Sequence, residues 1–348
     1  GKEKKIDCYI VLDNVTIESG IYYLAVSASD GTNSKNYFVP ILVNGLTRKL
    51  LGFIYVSIPM NNTIDVRRID TLENDSLIIG LEGDFSASEL NSKYQKIFVA
   101  GAQTGNLYAV DLSNNTISWS VVNQSNNGLP WFYQLYFSDN LLYVSTQDGL
   151  ISGYSINGMR SKVYTLPVSW HGVEFIDAER RFIAQVENVS AANHQLAQFY
   201  NSSASFITQQ AIPFDIVKLC PYNTEKIMVF ANLNGGGTIY EFDFLLHSFN
   251  TLTEISNQEI IDVVQISKEQ YLILTTQQIY LYNHGQSIGL ASLNFVADGK
   301  QILYDENTNC YFVVKPQQID QHSLPNGSLV NSIMVSKPIS KAHLYYNR

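Results

Sequence analysis

The 348-residue sequence predicts an all-β fold, a closed ring of seven four-stranded sheets, and three observations carry that prediction. The composition is one of strands and turns. A set of four alternating segments recurs at a period of about 40 residues. The two ends of the chain hold complementary parts of one further set.

Charged residues make up 15% of the chain and aromatics 12%, with 22 Tyr, and the remaining polarity comes from Asn, Ser, Gln and Thr. Such a composition suits pleated strands joined by tight turns. The net charge of -9, from 22 Lys+Arg against 31 Asp+Glu, and the lack of a basic cluster exclude nucleic acid as a partner. Cys8, Cys220 and Cys310 are far apart, form no CxxC and read as small core residues. No apolar run approaches the roughly 18 residues needed to span a bilayer. Gly1 with Lys2-Glu3-Lys4-Lys5 fits a trimmed export product.

The period is set by apolar strands KIFVAGA, LLYVSTQ, RFIAQV, KIMVFAN, YLILTTQ and CYFVVK. Aligning Phe98, Tyr143, Phe182, Met228, Leu272 and Tyr311 gives steps of 45, 39, 46, 44 and 39 residues. That spacing is the blade period of a β-propeller. Ahead of each lies a less regular strand (FSASEL, WFYQLYF, GVEFIDA, FDIVKLC, IIDVVQI, KQILYDE), and behind each come two more, NLYAVDL and TISWSV in the first set. Turn signals fall between them at Thr104-Gly105, Asp148-Gly149, Asn157-Gly158, Gly235-Gly236-Gly237 and Asn326-Gly327. The final strand, ISKAHLYY at 339–346, has nothing after it, while LGFIYVSI, TIDVRRIDT and SLIIGL at 51–81 have nothing before them. Pairing the two ends in one sheet would hide two open edges and complete a seventh blade within residues 48–348. No substantial helix is expected.

Residues 1–45 have another rhythm, three strands around Asp30-Gly31-Thr32, with Asn44-Gly45 marking the junction. The stretch SGIYYLAVSASDGT resembles the late strands of immunoglobulin-like or PKD-like domains, and covers about the second half of one. In IFVAGAQTGNLYAVDLSNNTISWSV, the residues Gly105, Leu107, Tyr108, Ala109, Asp111 and Trp119 resemble a repeat of quinoprotein-like and surface-layer propellers. Later repeats keep only strand periodicity, so no quinone or other cofactor is expected. Together the two parts are similar to exported lipoproteins of Gram-negative bacteria that carry a PKD-like domain and a propeller. The resemblance implies a place at the cell surface, outer membrane or periplasm, and a non-catalytic role in binding or adhesion. It leaves membrane attachment to a lipid anchor outside this chain.

Residues just before the innermost strands ring the channel mouth of such a fold. They are Asp84 and Phe85, Trp131 and Phe132, Trp170 and His171, Phe214 and Asp215, Asp262, Asp298, and Lys337. Aromatic planes beside carboxylates suit a carbohydrate or an extended protein segment, the ring covering the apolar face and the acids taking hydroxyls. The same aromatics would also serve as a channel plug or as packing between blades. The six histidines, His171, His194, His247, His284, His322 and His343, read as lying in different repeats without metal spacing, so no metal site is expected. A carboxylate pair for polysaccharide hydrolysis cannot be placed from spacing alone. The several Asn-x-Ser/Thr sequons read as turns. A scaffold role, with blade edges capturing partner strands in an envelope assembly, is the alternative.

Overall fold

The computed structural model describes residues 20–29, 32–43, 49–57, 64–69, 73–78, 85–101, 106–122, 132–138, 140–167, 170–188, 191–286, 289–324 and 326–346. The chain divides into two compact units, Gly1–Lys49 with Asn347–Arg348, and Leu50–Tyr346. In the first, strands Gly20–Ser29 and Ser34–Val43 pair antiparallel, from Gly20 opposite Val43 to Ser29 opposite Ser34. The strand expected ahead of them, Cys8, Asp30-Gly31 and Asn44-Gly45 lie outside the described residues. What is described of this unit is a two-stranded sheet, short of an immunoglobulin-like domain.

The second unit is a seven-bladed β-propeller. Its seven sheets are each four-stranded and antiparallel, and chain order matches spatial order in six of them. Blades 1 to 6 occupy 85–122, 132–165, 170–211, 215–255, 260–295 and 301–334. Blade 7 is composite: Ile339–Tyr346 is its innermost strand and pairs with Leu50–Ser57, followed by Ile64–Arg68 and Asn74–Ile78. The first strand of each blade contacts the first strand of the next, and blade 7 contacts blade 1 to close the ring. Among the described residues there is no helix.

Burial follows position in the blade. Both faces of a second strand are covered by neighbouring blades, so these strands read as nearly continuous apolar runs. Ile97, Phe98, Val99 and Ala100 are wholly buried, as are Ile227, Met228, Val229, Phe230 and Ala231. Outermost strands have one neighbour and alternate, as in Thr116–Val122. Each interface is a small core of its own. Phe98, Leu107 and Ala109 of blade 1 meet Phe132, Leu135 and Val144 of blade 2. Cys220 and Cys310 are buried free thiols, as expected of core residues.

Trp119 belongs to this packing. Its indole N–H donates to the Ile156 carbonyl at 2.9 Å, and its ring lies against Phe98 and Tyr154. Gly158 passes beneath it at φ +81°, where an added Cβ would meet the indole at 2.8 Å. The Asn157-Gly158 turn therefore needs glycine for both conformation and clearance.

Candidate functional site

Two polar groupings stand out, one along the innermost strands and one at the rim where blades 3 and 4 begin. The channel grouping starts from β-bulges. Register shifts fall between Gly172 and Glu174, Ile216 and Lys218, and Ile260 and Asp262, and also in the first strands of blades 1 and 2. A bulge leaves a residue out of the ladder and re-aims the side chains beside it.

The result is a belt passed from blade to blade. Gln134 donates to Glu174 at 3.1 Å. Glu174 pairs with Lys218 at 3.3 Å and accepts from the Leu219 backbone N–H at 3.3 Å. Asp262 accepts from the Ile302 N–H at 2.9 Å, and Gln301 bonds both the N–H and the carbonyl of Ala342. Lys341 reaches Glu89 of blade 1 at 3.4 Å. Six consecutive blades thus give one polar residue each, Gln134, Glu174, Lys218, Asp262, Gln301 and Lys341. The bonds answer backbone groups that would otherwise be buried without partners.

Electrostatics follow from that order. The Glu174 carboxylate holds the Lys218 ammonium pKa above its usual value, against the cost of its desolvation. Burial pushes the Asp262 carboxyl up, opposed by Lys218 and two backbone N–H groups. Replacing Glu174 with Ala removes one partner of the pair while Lys218 keeps about a third of its side-chain exposure. The expected loss is about 1–3 kcal/mol in urea unfolding, with Glu174→Ala/Lys218→Met recovering most of it.

The ring closure carries a pH dependence. His343 bonds the Ser88 hydroxyl of blade 1 at 2.9 Å, and burial, then Lys341, lowers its pKa well below the ordinary value. His322, stacked on Tyr311, is lowered by burial too, though the Gly327 carbonyl opposes the shift. Both bind protons less readily in the folded state than in the unfolded chain. Their contribution is full above the unfolded pKa of about 6.5 and is lost as pH falls below it. Each histidine should cost up to about 1.4 kcal/mol per pH unit between its unfolded and folded pKa values. Denaturant midpoints taken from pH 7.5 to 5.5 should fall, and the slope should flatten in His343→Gln.

At the rim, strand pairing in blade 3 sets His171 opposite Glu187 and Glu187 opposite His194. Asp215, which opens blade 4, completes the group. His194 Nδ1 lies 3.1 Å from Glu187 Oε1 and 3.9 Å from Asp215 Oδ1, and His171 Nε2 lies 3.9 Å from Glu187 Oε2. Gln185, wholly buried, accepts from the Ile216 N–H at 2.5 Å. Its amide nitrogen lies 2.9 Å from Asp215 Oδ1 and 3.1 Å from His194 Nδ1. Burial lowers the His171 pKa, opposed by Glu187.

The structure sorts the residues expected at the mouth. It sets His171 against Glu187 and Asp215 against His194, with Asp215 58% exposed. Trp170 is half-buried, opposite Asn188, and packs partly into the core between blades 2 and 3. Phe132 and Phe214 do not face a ligand. Phe132 is in the core between blades 1 and 2, and Phe214 stacks on Tyr240 and meets Phe249 edge-on. Asp262 belongs to the belt. Asp298 sits in a turn at φ +63° and lines a separate surface cavity of about 480 Å³ with Lys300, Lys315 and Met334. Lys337 pairs with Asp65 at 2.9 Å. Asp84, Trp131 and the side chain of Phe85 lie outside the described residues. The reading of the histidines as scattered over different repeats is corrected: His171 and His194 share blade 3 and flank Glu187.

Solved structures share the fold at low sequence identity. A functionally unknown protein from Desulfotomaculum acetoxidans matches over 84% of this chain and 98% of its own, with 14% identity and a TM-score of 0.64. A quinonprotein alcohol dehydrogenase-like protein from Bacteroides thetaiotaomicron matches over 94% of this chain and 85% of its own, at 12% identity and TM-score 0.62. The RRP9 WD40 repeats match over 74% and 82%, at 10% identity and TM-score 0.56. No family model and no curated protein sequence matches the chain. These likenesses define a propeller and assign it no activity. Among the described residues no helix is long and apolar enough to cross a membrane.

Proposed function

We propose that this chain is a non-catalytic, extracytoplasmic binding protein whose rim at blades 3 and 4 recognises a carbohydrate or protein partner. One observation carries the reading: His171, Glu187, His194 and the exposed carboxylate of Asp215 gather where blades 3 and 4 begin, with half-buried Trp170 next to His171 in the chain. Carboxylate and imidazole groups gathered at a rim suit hydroxyl-bearing or amide-bearing ligands. The channel carboxylates Glu174 and Asp262 are engaged with a lysine and backbone N–H groups, which favours binding over polysaccharide hydrolysis. Export with a PKD-like partner domain, and a lipid anchor outside this chain, belong to the same reading. It is tested by a glycan array and by pull-down from envelope extract, comparing the wild-type chain with Trp170→Ala and Asp215→Asn. Capture that both variants weaken supports it, and no capture by the folded protein in either assay removes it.

A second reading, an envelope scaffold, draws on the outer edge of blades 5 and 6. Phe295, Leu329, Val330 and Met334 are all exposed on outermost strands, where a partner strand could add. Cross-links confined to the rim would count against it.

A further inference from the structure

We propose that Glu187, His194 and Asp215 bind one divalent transition-metal ion of the zinc class at the rim of blades 3 and 4. The inference goes beyond the partner reading and does not depend on it. The three side chains each offer a ligand atom, and these atoms all lie within 4.8 Å of one another. Zinc bonds of about 2.0–2.1 Å to nitrogen and oxygen set ligand atoms roughly 3.3 Å apart in a tetrahedron. The distances from His194 Nδ1, 3.1 Å to Glu187 Oε1 and 3.9 Å to Asp215 Oδ1, bracket that value.

The charge arrangement sets this group apart from the carboxylates that hold a lysine. Glu174, Glu241, Asp320, Asp65 and Glu89 each have a lysine. Among the described residues, Glu187 and Asp215 have no lysine or arginine at ion-pair distance and converge on an imidazole instead. His194 Nδ1 either donates its proton to Glu187 or, in the other tautomer, offers a lone pair that a cation can take together with the two carboxylates. One imidazole with two carboxylates favours zinc over the all-oxygen ligation of calcium and magnesium.

The surroundings orient these donors. Gln185 is wholly buried and its amide is fixed by the Ile216 N–H, so its N–H donates to Asp215 Oδ1 at 2.9 Å and orients that carboxylate, while its 3.1 Å contact with His194 Nδ1 gives way when that nitrogen binds the metal. Such second-layer contacts typically tune metal affinity. His171, 6% exposed, presents Nε2 3.9 Å from the other oxygen of Glu187 and is placed to orient that carboxylate. Asp215 is on the open side, which leaves room for a water molecule or an oxygen of a partner.

The test is calorimetric titration of the chelator-treated full chain with zinc chloride, with cobalt(II) absorption as a second readout. One equivalent should bind to the wild type. Asp215→Asn and His194→Ala should each weaken it by at least about ten-fold, and His247→Ala should not change it. Asp215 is more than half exposed, so its variant keeps the fold, as circular dichroism would verify. No uptake by the wild type, or uptake within about twofold of wild type in Asp215→Asn, overturns the site. No glycan or protein partner is in the titration, so its outcome is separate from that of the binding reading.

Discussion

A chain ended at Val335 should fail to form a cooperatively folded propeller, because the missing segment is the innermost strand of blade 7. Ile339–Tyr346 pairs with Leu50–Ser57 from Tyr346 opposite Leu50 to Ile339 opposite Ser57. Ile339 and Ala342 are buried in the core between blades 6 and 7, with Phe53, Tyr55 and Phe312. The same strand makes the belt contact of Lys341 with Glu89, the closing bond of His343 with Ser88, and the Tyr346 hydroxyl bond to Asp305 at 3.0 Å. Gln301 would lose both backbone partners at Ala342. Removal therefore opens an interface on each side and exposes a buried apolar edge strand, a template for aggregation. The full chain should melt in one sharp transition by circular dichroism and elute as a discrete species. The shortened chain should be recovered aggregated or without a cooperative transition. A sharp melt within a few degrees of full length would show that the ring does not depend on this closure.

The blade ring was legible because packing repeats its demands. Every second strand is covered on both faces, so its apolar run recurs at the blade period, and Phe98, Phe182 and Met228 mark it. The unmatched strand at 339–346 declared its own partner. The mouth was harder to read, since a residue just before an inner strand lies either at the rim or under the preceding blade. Phe132 and Phe214 went under, while Asp215 stayed out.

The rim row was hidden for a geometric reason. Ala178 pairs with Arg181 across a two-residue turn, and simple reflection about that turn would set His171 opposite Asn188. The bulge between Gly172 and Glu174 shifts the pairing by one, which brings Glu187 opposite His171 and, through the next strand pair, beside His194. A one-residue slip changes which face a side chain occupies, and nothing local in GVEFIDA announces it. The belt left a clearer trace. Gln134, Glu174, Lys218, Asp262, Gln301 and Lys341 stand 40, 44, 44, 39 and 40 residues apart, a polar period inside otherwise apolar strands.

Phe182→Ala should destabilise the propeller by about 3–5 kcal/mol, toward the upper end for an aromatic deletion. Its ring is wholly buried and lies 4.0 Å from that of Tyr164, with interplanar angle 13°, and 4.9 Å from that of Tyr143. Phe175 and Phe199 close the other sides at 5.8 and 6.5 Å. Blade 2 supplies the two tyrosines and blade 3 the phenylalanines, so the cluster is the joint between blades. How much a deletion costs depends on how far the neighbours collapse into the space. Here collapse is restrained, because the Tyr143 hydroxyl is tied to Asp177 at 2.8 Å and that of Tyr164 to Asn201 at 2.8 Å. Moving either ring inward would strand a buried hydroxyl, so the cavity should persist. Urea unfolding should place Phe182→Leu well short of the alanine variant, and Phe295→Ala, on an exposed outer strand, within about 0.5 kcal/mol of wild type. A Phe182→Ala loss below about 1 kcal/mol would mean that the tyrosines do give up their anchors and that the joint is softer than its hydrogen bonds imply.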